Sequence, residues 1–229
     1  MKRGKVMRYS PSLACASQIN MIKDLRALDS SGIDMFHIDI MDGHYVPNLS
    51  LSLDLLREIK MEFPQIELDV HMMVTNPMDY IEKMAKLGVE WLAFHINATN
   101  FAHRTISKIK SNGMKAGITI NPSESINQIL PVIDMVDLVL CMAIEPGFSG
   151  QKFIESTYQK IEELSKIREQ RNLNFLINVD GGLGIHEAAE CAKRGADILV
   201  LGMFACFGQE AGVYEALKEF DNNLKGELK

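Results

Sequence analysis

Short apolar runs and amphipathic stretches alternate along the whole chain. Eight runs are apolar almost without a break, which is typical of parallel strands that are covered on both faces. We predict strands at Arg8–Leu13, Met35–Ile40, Glu67–Val74, Trp91–Ile96, Lys115–Ile120, Leu138–Ala143, Phe175–Asp180 and Ile198–Met203. Between and after these runs, apolar residues recur at helical spacing. We predict helices at Ile19–Ser30, Leu53–Glu62, Met78–Leu87, Ala102–Asn112, Ile126–Val132, Thr157–Arg171, Ile185–Arg194 and Glu210–Leu224.

This alternation of strands and helices predicts the α/β class and, within it, a (β/α)8 TIM barrel. The length of 229 residues is close to the roughly 250 that are typical of that fold. Small turns such as Asn112-Gly113 and Arg194-Gly195 separate helices from the strands that follow them. No linker or low-complexity segment interrupts the pattern, so we expect a single domain over residues 1–229.

Polar residues interrupt the second apolar run. Side chains two apart on a strand share a face, so His37 and Asp39 are expected to project together. The apolar residues between and beside them would face the other way. Burying such a pair costs free energy unless something binds it. A divalent metal would satisfy both side chains, and so would hydrogen bonds to neighbours; this run alone leaves both explanations open.

Two further histidines, His71 and His95, fall inside the third and fourth predicted strands, at matching ends. In a TIM barrel, the C-terminal ends of the strands carry the active site. Core histidines chosen for packing would not be expected to collect at one end of the barrel, so their placement favours a ligand role for His37 and His71. Asp180 ends the seventh strand; taken alone, it is more simply a turn aspartate before two glycines.

Together these strand ends offer a four-ligand set, which consists of His37, Asp39, His71 and Asp180. We expect it to bind one divalent cation as cofactor: Zn²⁺, Fe²⁺, Mn²⁺, Co²⁺ or Mg²⁺. Such a cation can polarise a carbonyl oxygen and stabilise an enediolate. A carboxylate on each side of a substrate could act as base on one face and acid on the other. The pattern therefore indicates proton removal next to a carbonyl, with return from the opposite face.

Glycines follow the last two predicted strands. Gly181 and Gly182 come after the seventh, and Gly202 comes after the eighth. In TIM barrels these two loops commonly hold phosphate through backbone N–H groups and a helix N-terminus. A third glycine loop after the sixth strand could close over a substrate, although ordinary turn formation explains it equally well; it contains Gly147, Phe148, Ser149 and Gly150.

Methionines Met41, Met73 and Met142 fall beside the predicted site. Such residues usually only fill gaps in a core. Here they could also form an apolar, polarisable bed under the reacting part of a substrate.

The composition indicates which classes of partner and which cellular compartment to expect. The net charge is −6 without a long basic run, which argues against nucleic acid as a partner. No apolar run approaches the roughly 18 residues of a membrane span, and the N-terminus lacks the apolar core of a signal peptide. The four scattered cysteines are expected to be free thiols in a reducing compartment, so we expect a cytoplasmic protein that does not bind a membrane.

Four segments resemble the ribulose-phosphate 3-epimerase family: FHIDIMDGHYVPN, DVHMMV, EPGFSGQKF and NVDGG. The resemblance extends from Tyr9 to about Phe207. It implies a ribulose-phosphate-binding barrel that uses a divalent metal to invert C3 of a ketose phosphate. The substrate pair would be ribulose 5-phosphate and xylulose 5-phosphate, or allulose 6-phosphate and fructose 6-phosphate. We also expect a homo-oligomer.

The resemblance also implies roles for individual residues. Asp39 and Asp180 would be the acid/base pair, and His37 and His71 would bind the metal with them. The residues that would contact substrate are Ser12, His71, Met41, Met73, Met142, Gly147, Phe148, Ser149, Gly150, Gly181, Gly182, Gly202 and Met203.

Two positions depart from the family pattern. Asn97 stands where the family usually has the Glu of His-x-Glu, and Met203 stands where Ser or Thr usually follows Gly202. Both departures bear more on substrate affinity than on the chemistry, because the proposed metal and acid/base residues are intact. The segments SPSLACAS, PNLSLS and MVTNPMDYI are closer to the D-allulose-6-phosphate 3-epimerase branch.

Two alternatives stay open at this point. A phosphosugar lyase, decarboxylase or aldolase of the same barrel class would share the fold, but the segment HIDIMD lacks the lysine that such decarboxylases place between aspartates. A non-catalytic phosphosugar-binding protein would fit the two departures, but would not need both aspartates and both histidines.

Overall fold

The computed structural model describes residues 7–229, and in them the eight predicted strands form one parallel sheet. The strands are β1 (Arg8–Pro11), β2 (Met35–Met41), β3 (Glu67–Met73), β4 (Trp91–His95), β5 (Lys115–Ile120), β6 (Leu138–Met142), β7 (Leu176–Asp180) and β8 (Ile198–Leu201). Their order around the sheet is β1-β8-β7-β6-β5-β4-β3-β2. A bridge between Ser12 and His37 joins the two remaining edges, so the sheet closes nearly into a barrel. The predicted (β/α)8 TIM barrel is confirmed.

Seven α-helices lie between and after these strands in the described residues. They are α1 (Met21–Ser30), α2 (Leu53–Glu62), α3 (Ile81–Lys86), α4 (Ala102–Ser111), α5 (Ser156–Gln170), α6 (Ile185–Arg194) and α7 (Val213–Glu227). Short 3₁₀ turns occupy Leu13–Cys15, Pro77–Asp79, Ile96–Ala98 and Ile126–Gln128, and a π-helix occupies Met203–Phe207.

The predicted helix over Ile126–Val132 is wrong. The segment forms a single 3₁₀ turn at Ile126–Gln128 and continues as turns. Pro131 explains the difference, because proline lacks the N–H of an interior helical residue and disfavours helical geometry in the residue before it. The eighth strand is also shorter than predicted and ends at Leu201, because the chain turns at Gly202 into the π-helix.

The two faces of each strand serve different purposes. On β2, the alternate side chains of Phe36, Ile38 and Ile40 pack in the large apolar layer between sheet and helices. The barrel interior has its own smaller apolar cluster, made of Met35, Trp91, Ala93, Leu138, Leu140, Met142, Ile144 and Ile198. His37 and Asp39 lie on the interior face, as the alternation predicts. The interior therefore carries polar groups above an apolar base.

Candidate active site

Four side chains meet at the C-terminal ends of β2, β3 and β7. Each of His37, Asp39, His71 and Asp180 contributes one potential ligand atom, and these atoms all lie within 4.8 Å of one another. His37 Nε2 lies 3.5 Å from Asp39 Oδ1 and 3.8 Å from Asp180 Oδ2. His71 Nδ1 lies 3.2 Å from Asp39 Oδ1 and 3.9 Å from Asp180 Oδ2. We call these four residues the His/Asp cluster.

The His/Asp cluster fits a divalent cation. Within the described residues, the buried His37 Nε2 has no hydrogen-bond partner, although two carboxylate oxygens lie near it. An unpaired buried polar atom is costly unless a ligand binds it. Two imidazole nitrogens and two carboxylate oxygens suit Zn²⁺, Fe²⁺, Mn²⁺ or Co²⁺. The cluster could therefore hold such an ion, with His37 Nε2 and His71 Nδ1 as the nitrogen ligands.

The outer nitrogen of His37 is bound by a buried carboxylate. His37 Nδ1 donates a hydrogen bond of 2.8 Å to Asp69 Oδ2. The same oxygen accepts hydrogen bonds from Ser10 Oγ at 3.2 Å and Asn178 Nδ2 at 3.0 Å. In the neutral form of His37, the proton on Nδ1 leaves the lone pair on Nε2, which faces the carboxylates of the cluster. Asp69 thus fixes both the tautomer and the orientation of His37.

The outer nitrogen of His71 meets a second histidine instead. His71 Nε2 lies 2.8 Å from His95 Nε2, and both side chains are fully buried. The ring of Tyr45 lies against His95, with ring centroids 4.6 Å apart. Burial, followed by the charge of His71, lowers the pKa of His95 well below its usual value. His95 is therefore a neutral partner, in contrast to Asp69.

The surroundings push the pKa values of the two cluster carboxyls apart. Burial would raise the pKa of Asp39, but the charge and hydrogen bonds of His37 and His71 outweigh it and lower that pKa below its usual range. Burial raises the pKa of Asp180 to about 6, with the negative charge of Asp39 adding to the rise. Ser12 Oγ also donates a hydrogen bond of 2.8 Å to Asp39 Oδ2. Two carboxyls whose surroundings separate their pKa values in this way are typical of a general base and a general acid.

A pocket opens above the cluster at the C-terminal end of the barrel. Asp39 and Asp180 reach its surface, whereas His37 and His71 lie beneath it. Every other residue predicted to contact substrate lines this pocket: Ser12, Met41, Met73, Met142, Gly147, Phe148, Ser149, Gly150, Gly181, Gly182, Gly202 and Met203. The structure thus brings the predicted set together in one place, while the role of each residue stays a prediction.

Backbone geometry requires glycine at two positions of the pocket. Gly181 has φ +114° and Gly182 has φ +66°, both in the left-handed region. A Cβ atom at Gly182 would lie 2.5 Å from the backbone nitrogen of Phe153, and one at Gly181 would lie 2.4 Å from Ile144 Cγ1. The loop after β7 therefore packs directly on the loop after β6. α6 begins three residues beyond Gly182, so its positive N-terminal end lies close in the chain to this loop.

The loop after β6 is tied to the rest of the pocket. Asn48 Nδ2 donates a hydrogen bond of 2.8 Å to the carbonyl of Gly147. Gln151 Nε2 donates to the carbonyls of Glu145 and Phe148, both at 2.8 Å, and so closes the loop on itself. The pocket mouth also carries exposed apolar side chains at Leu49, Phe148, Met203 and Phe204.

The pocket is anionic in its side chains. Within residues 7–229, its lining includes Asp39 and Asp180 but no lysine or arginine. A phosphate group bound here would therefore have to be held by backbone N–H groups, hydroxyls or a cation.

Within residues 7–229, no helix is both long enough and apolar enough to cross a membrane.

Sequence reasoning missed the residues beneath the His/Asp cluster. Ser10, Asp69 and Asn178 each lie two positions before a predicted site residue, namely Ser12, His71 and Asp180. Because alternate side chains of a strand share a face, this spacing was a usable signal for a polar layer one step deeper in the barrel. Tyr45 and Asn48, from the loop after β2, carried no such signal.

Solved structures share the fold at low sequence identity. The 3-hexulose-6-phosphate synthase of Salmonella typhimurium superposes with a TM-score of 0.73 at 13% identity, over 96% of this chain and 100% of that one. A tryptophan synthase alpha-subunit from Pyrococcus furiosus has a TM-score of 0.69 at 12% identity, over 97% and 98% of the two chains. At these identities the likeness supports the barrel fold alone.

Sequence comparison is more specific. The ribulose-phosphate 3-epimerase of Bacillus subtilis is 38% identical over 205 residues, which cover 89% of this chain and 94% of that protein. The corresponding enzyme of Aquifex aeolicus is 36% identical over 84% of this chain and 86% of its own. The chloroplastic ribulose-5-phosphate-3-epimerase of Arabidopsis thaliana is 38% identical over 87% of this chain and 71% of that one. The model of the ribulose-phosphate 3 epimerase family matches residues 8–206, so the chain belongs to this family of isomerases.

Proposed function

We propose that the protein is a metal-dependent ketose-phosphate 3-epimerase that inverts C3 by proton transfer between Asp39, Asp180 and the substrate. The observation that carries the proposal is the His/Asp cluster, in which two carboxyls and two imidazoles converge within 4.8 Å at the base of a pocket. The family membership supports the same reaction class.

A divalent cation held by His37, Asp39, His71 and Asp180 would polarise the substrate oxygens next to C3 and so make its proton more acidic. The two carboxyls supply the proton transfers. β2 and β7 are three steps apart around the barrel, so Asp39 and Asp180 approach a central substrate from different sides. Each carboxyl can act as base when it is ionised and as acid when it is protonated. The reverse reaction exchanges the roles.

We propose that the loops after β7 and β8 hold the phosphate through backbone N–H groups. The absence of lysine and arginine from the described pocket lining supports backbone binding. The positive φ angles of Gly181 and Gly182 allow the backbone to approach a ligand closely. Ser12 and the three pocket methionines would then lie under the carbon chain of the sugar.

The substrate that we propose is ribulose 5-phosphate, with xylulose 5-phosphate as product. The relatives described above carry that activity in their names. Allulose 6-phosphate is the second candidate, because SPSLACAS, PNLSLS and MVTNPMDYI resemble the D-allulose-6-phosphate branch. A lyase that needs an active-site lysine receives no support from the described pocket. Cytoplasmic location and homo-oligomeric assembly stay predictions.

The decisive experiment follows the C3 proton. Protein purified without chelator is analysed for bound metal, then incubated in D₂O with ribulose 5-phosphate or allulose 6-phosphate. We expect about one divalent ion per chain, deuterium incorporated only at C3, and formation of the C3 epimer. Cleavage or decarboxylation products would contradict the proposal in favour of a lyase. Full activity of metal-free protein in excess chelator would contradict the metal site.

A further inference from the structure

The contact between His71 and His95 constrains the protons of both rings. Their Nε2 atoms lie 2.8 Å apart, so one nitrogen must donate a proton and the other must accept it. If His71 binds a cation through Nδ1, its lone pair is used there, and the neutral ring carries its proton on Nε2. His71 Nε2–H then donates to His95, which leaves His95 Nε2 as the acceptor and places the proton of His95 on Nδ1.

The opposite arrangement excludes the cation from His71. If His95 Nε2–H donated instead, the proton of neutral His71 would lie on Nδ1, within 3.2 Å of Asp39 Oδ1. The ligand nitrogen would then be blocked by its own proton. The acceptor state of His95 is therefore the one compatible with metal binding at His71.

Tyr45 holds His95 in this position. Its ring lies against the His95 ring at 4.6 Å between centroids, and the two planes are inclined by 36°. The Tyr45 hydroxyl donates a hydrogen bond of 2.7 Å to Asn97 Oδ1 and accepts one of 2.9 Å from Asn121 Nδ2. Asp42 Oδ1 accepts the backbone N–H of Tyr45 at 2.8 Å. Asn97, one of the two residues that depart from the family pattern, thus forms part of this support.

We propose that His95 is a positioning residue for the metal ligand His71: it accepts the Nε2–H hydrogen bond that leaves His71 Nδ1 free for the cation, and Tyr45, held by Asn97 and Asn121, keeps its ring in place. The inference rests on the metal site of the proposed function. It adds that affinity for the metal depends on an acceptor at the position of His95 Nε2, and not only on the shape of the side chain.

Three variants distinguish the effect of a hydrogen-bond acceptor at position 95 from the effect of side-chain shape on metal affinity. His95→Gln places an amide oxygen near the position of Nε2, whereas His95→Phe keeps a ring without an acceptor. His103→Gln on the exposed face of α4 is the matched control. Metal-stripped full-length proteins are titrated with Co²⁺ and followed by visible absorbance, with Zn²⁺ affinity measured by competition against a chromophoric chelator. We expect His95→Phe to bind about 10- to 100-fold more weakly than wild type, with His95→Gln and His103→Gln within a few-fold.

Equal binding by wild type and His95→Phe would overturn the inference while leaving the metal site intact. So would equal weakening in His95→Gln and His95→Phe, because an acceptor at this position would then fail to preserve metal affinity. Failure of the wild-type protein to bind either ion would instead overturn the metal site of the proposed function.

A second measurement needs no variant. In the Zn²⁺ complex of wild-type protein, ¹⁵N NMR of the imidazole rings reports which nitrogen carries each proton. We expect His95 with a protonated Nδ1 and an unprotonated Nε2, and His71 with a protonated Nε2. A proton on His95 Nε2 in the loaded protein would refute the inference, even if His95→Phe failed to fold.

Discussion

The pocket has a floor, formed by the His/Asp cluster and the residues beneath it, and a rim, formed by the loops at its mouth. These two parts are built in different ways. On the floor, charged and polar side chains on strands hold one another: Asp69 Oδ2 alone accepts hydrogen bonds from His37, Ser10 and Asn178. On the rim, glycine backbone and exposed apolar side chains such as Phe148 and Met203 surround the opening. Side chains on strands fix directions and protonation states, whereas loops fix the shape and the backbone donors. We therefore expect the floor to control the metal and the proton transfers, and the rim to control substrate affinity.

The floor itself contains two kinds of support. His37 is backed by an anion that lies opposite it in the β2–β3 register, entirely within the strands. His71 is backed by neutral His95, whose position depends on Tyr45 from the loop after β2. An anionic partner raises the basicity of a histidine ligand more than a neutral one does. His37 is thus the more strongly supported of the two proposed nitrogen ligands, and we expect loop substitutions to alter metal affinity through His71.

The largest expected effect comes from the acid/base pair. Asp39→Asn and Asp180→Asn each remove a proton-transfer group from the floor, so we expect kcat to fall by about 10²–10⁴-fold in each. Steady-state kinetics with ribulose 5-phosphate measures the loss, and metal analysis first establishes that each variant is loaded. Asp54→Asn, on the exposed side of α2, is the matched control. A loaded Asp180→Asn variant that interconverts both epimers at a near-normal rate would refute the two-base mechanism.

Asp69→Asn tests the floor without touching a substrate-binding group. The amide oxygen can still accept from His37, but the negative charge is lost, so we expect metal affinity to fall by about 10- to 100-fold. Because Asp69 lies beneath the His/Asp cluster, KM measured at saturating metal should change little. Competition titration with Zn²⁺ gives the first quantity and steady-state kinetics gives the second. If instead KM rises while metal affinity is unchanged, the expectation that the floor controls the metal and the rim controls substrate affinity is contradicted.

The predictable part of this molecule is the part that lies on strands. The alternation of His37 and Asp39 with apolar neighbours was enough to place both in the barrel interior, and the strand ends located the pocket. Asp69 follows the same rule, but it stands within a run that is otherwise apolar, and Pro131 stands within an apparently helical pattern. The contacts of Tyr45 with His95 and of Asn48 with Gly147 depend on loop conformation, which periodicity does not encode.

On the rim, Met203→Ser should strengthen substrate binding. Serine restores the hydroxyl that the family usually has at this position, and one hydrogen bond to a charged phosphate contributes at most about 1.5–3 kcal/mol. KM for ribulose 5-phosphate should fall accordingly, with kcat and metal affinity unchanged. Met203→Ala is the control, because it removes the same thioether without adding a hydroxyl. An equal gain in both variants would mean that Met203 obstructs the pocket and that the hydroxyl contributes nothing.

Gly202→Ala is the smallest change that probes the rim. Unlike Gly182, whose Cβ would collide with the backbone of Phe153, Gly202 has a negative φ of −106°, and its Cβ would meet Cys15 Sγ at 3.4 Å. The methyl group can therefore be accommodated, but it occupies space in the pocket where the backbone is expected to approach the phosphate. We expect KM to rise by a few-fold, with kcat, metal affinity and the midpoint of thermal unfolding close to wild type. Competitive inhibition by inorganic phosphate should weaken in parallel with the rise in KM if the loop after β8 binds the phosphate group. A rise in KM without any change in phosphate inhibition would place the phosphate elsewhere in the pocket, and a loss of metal affinity would show that floor and rim are not independent.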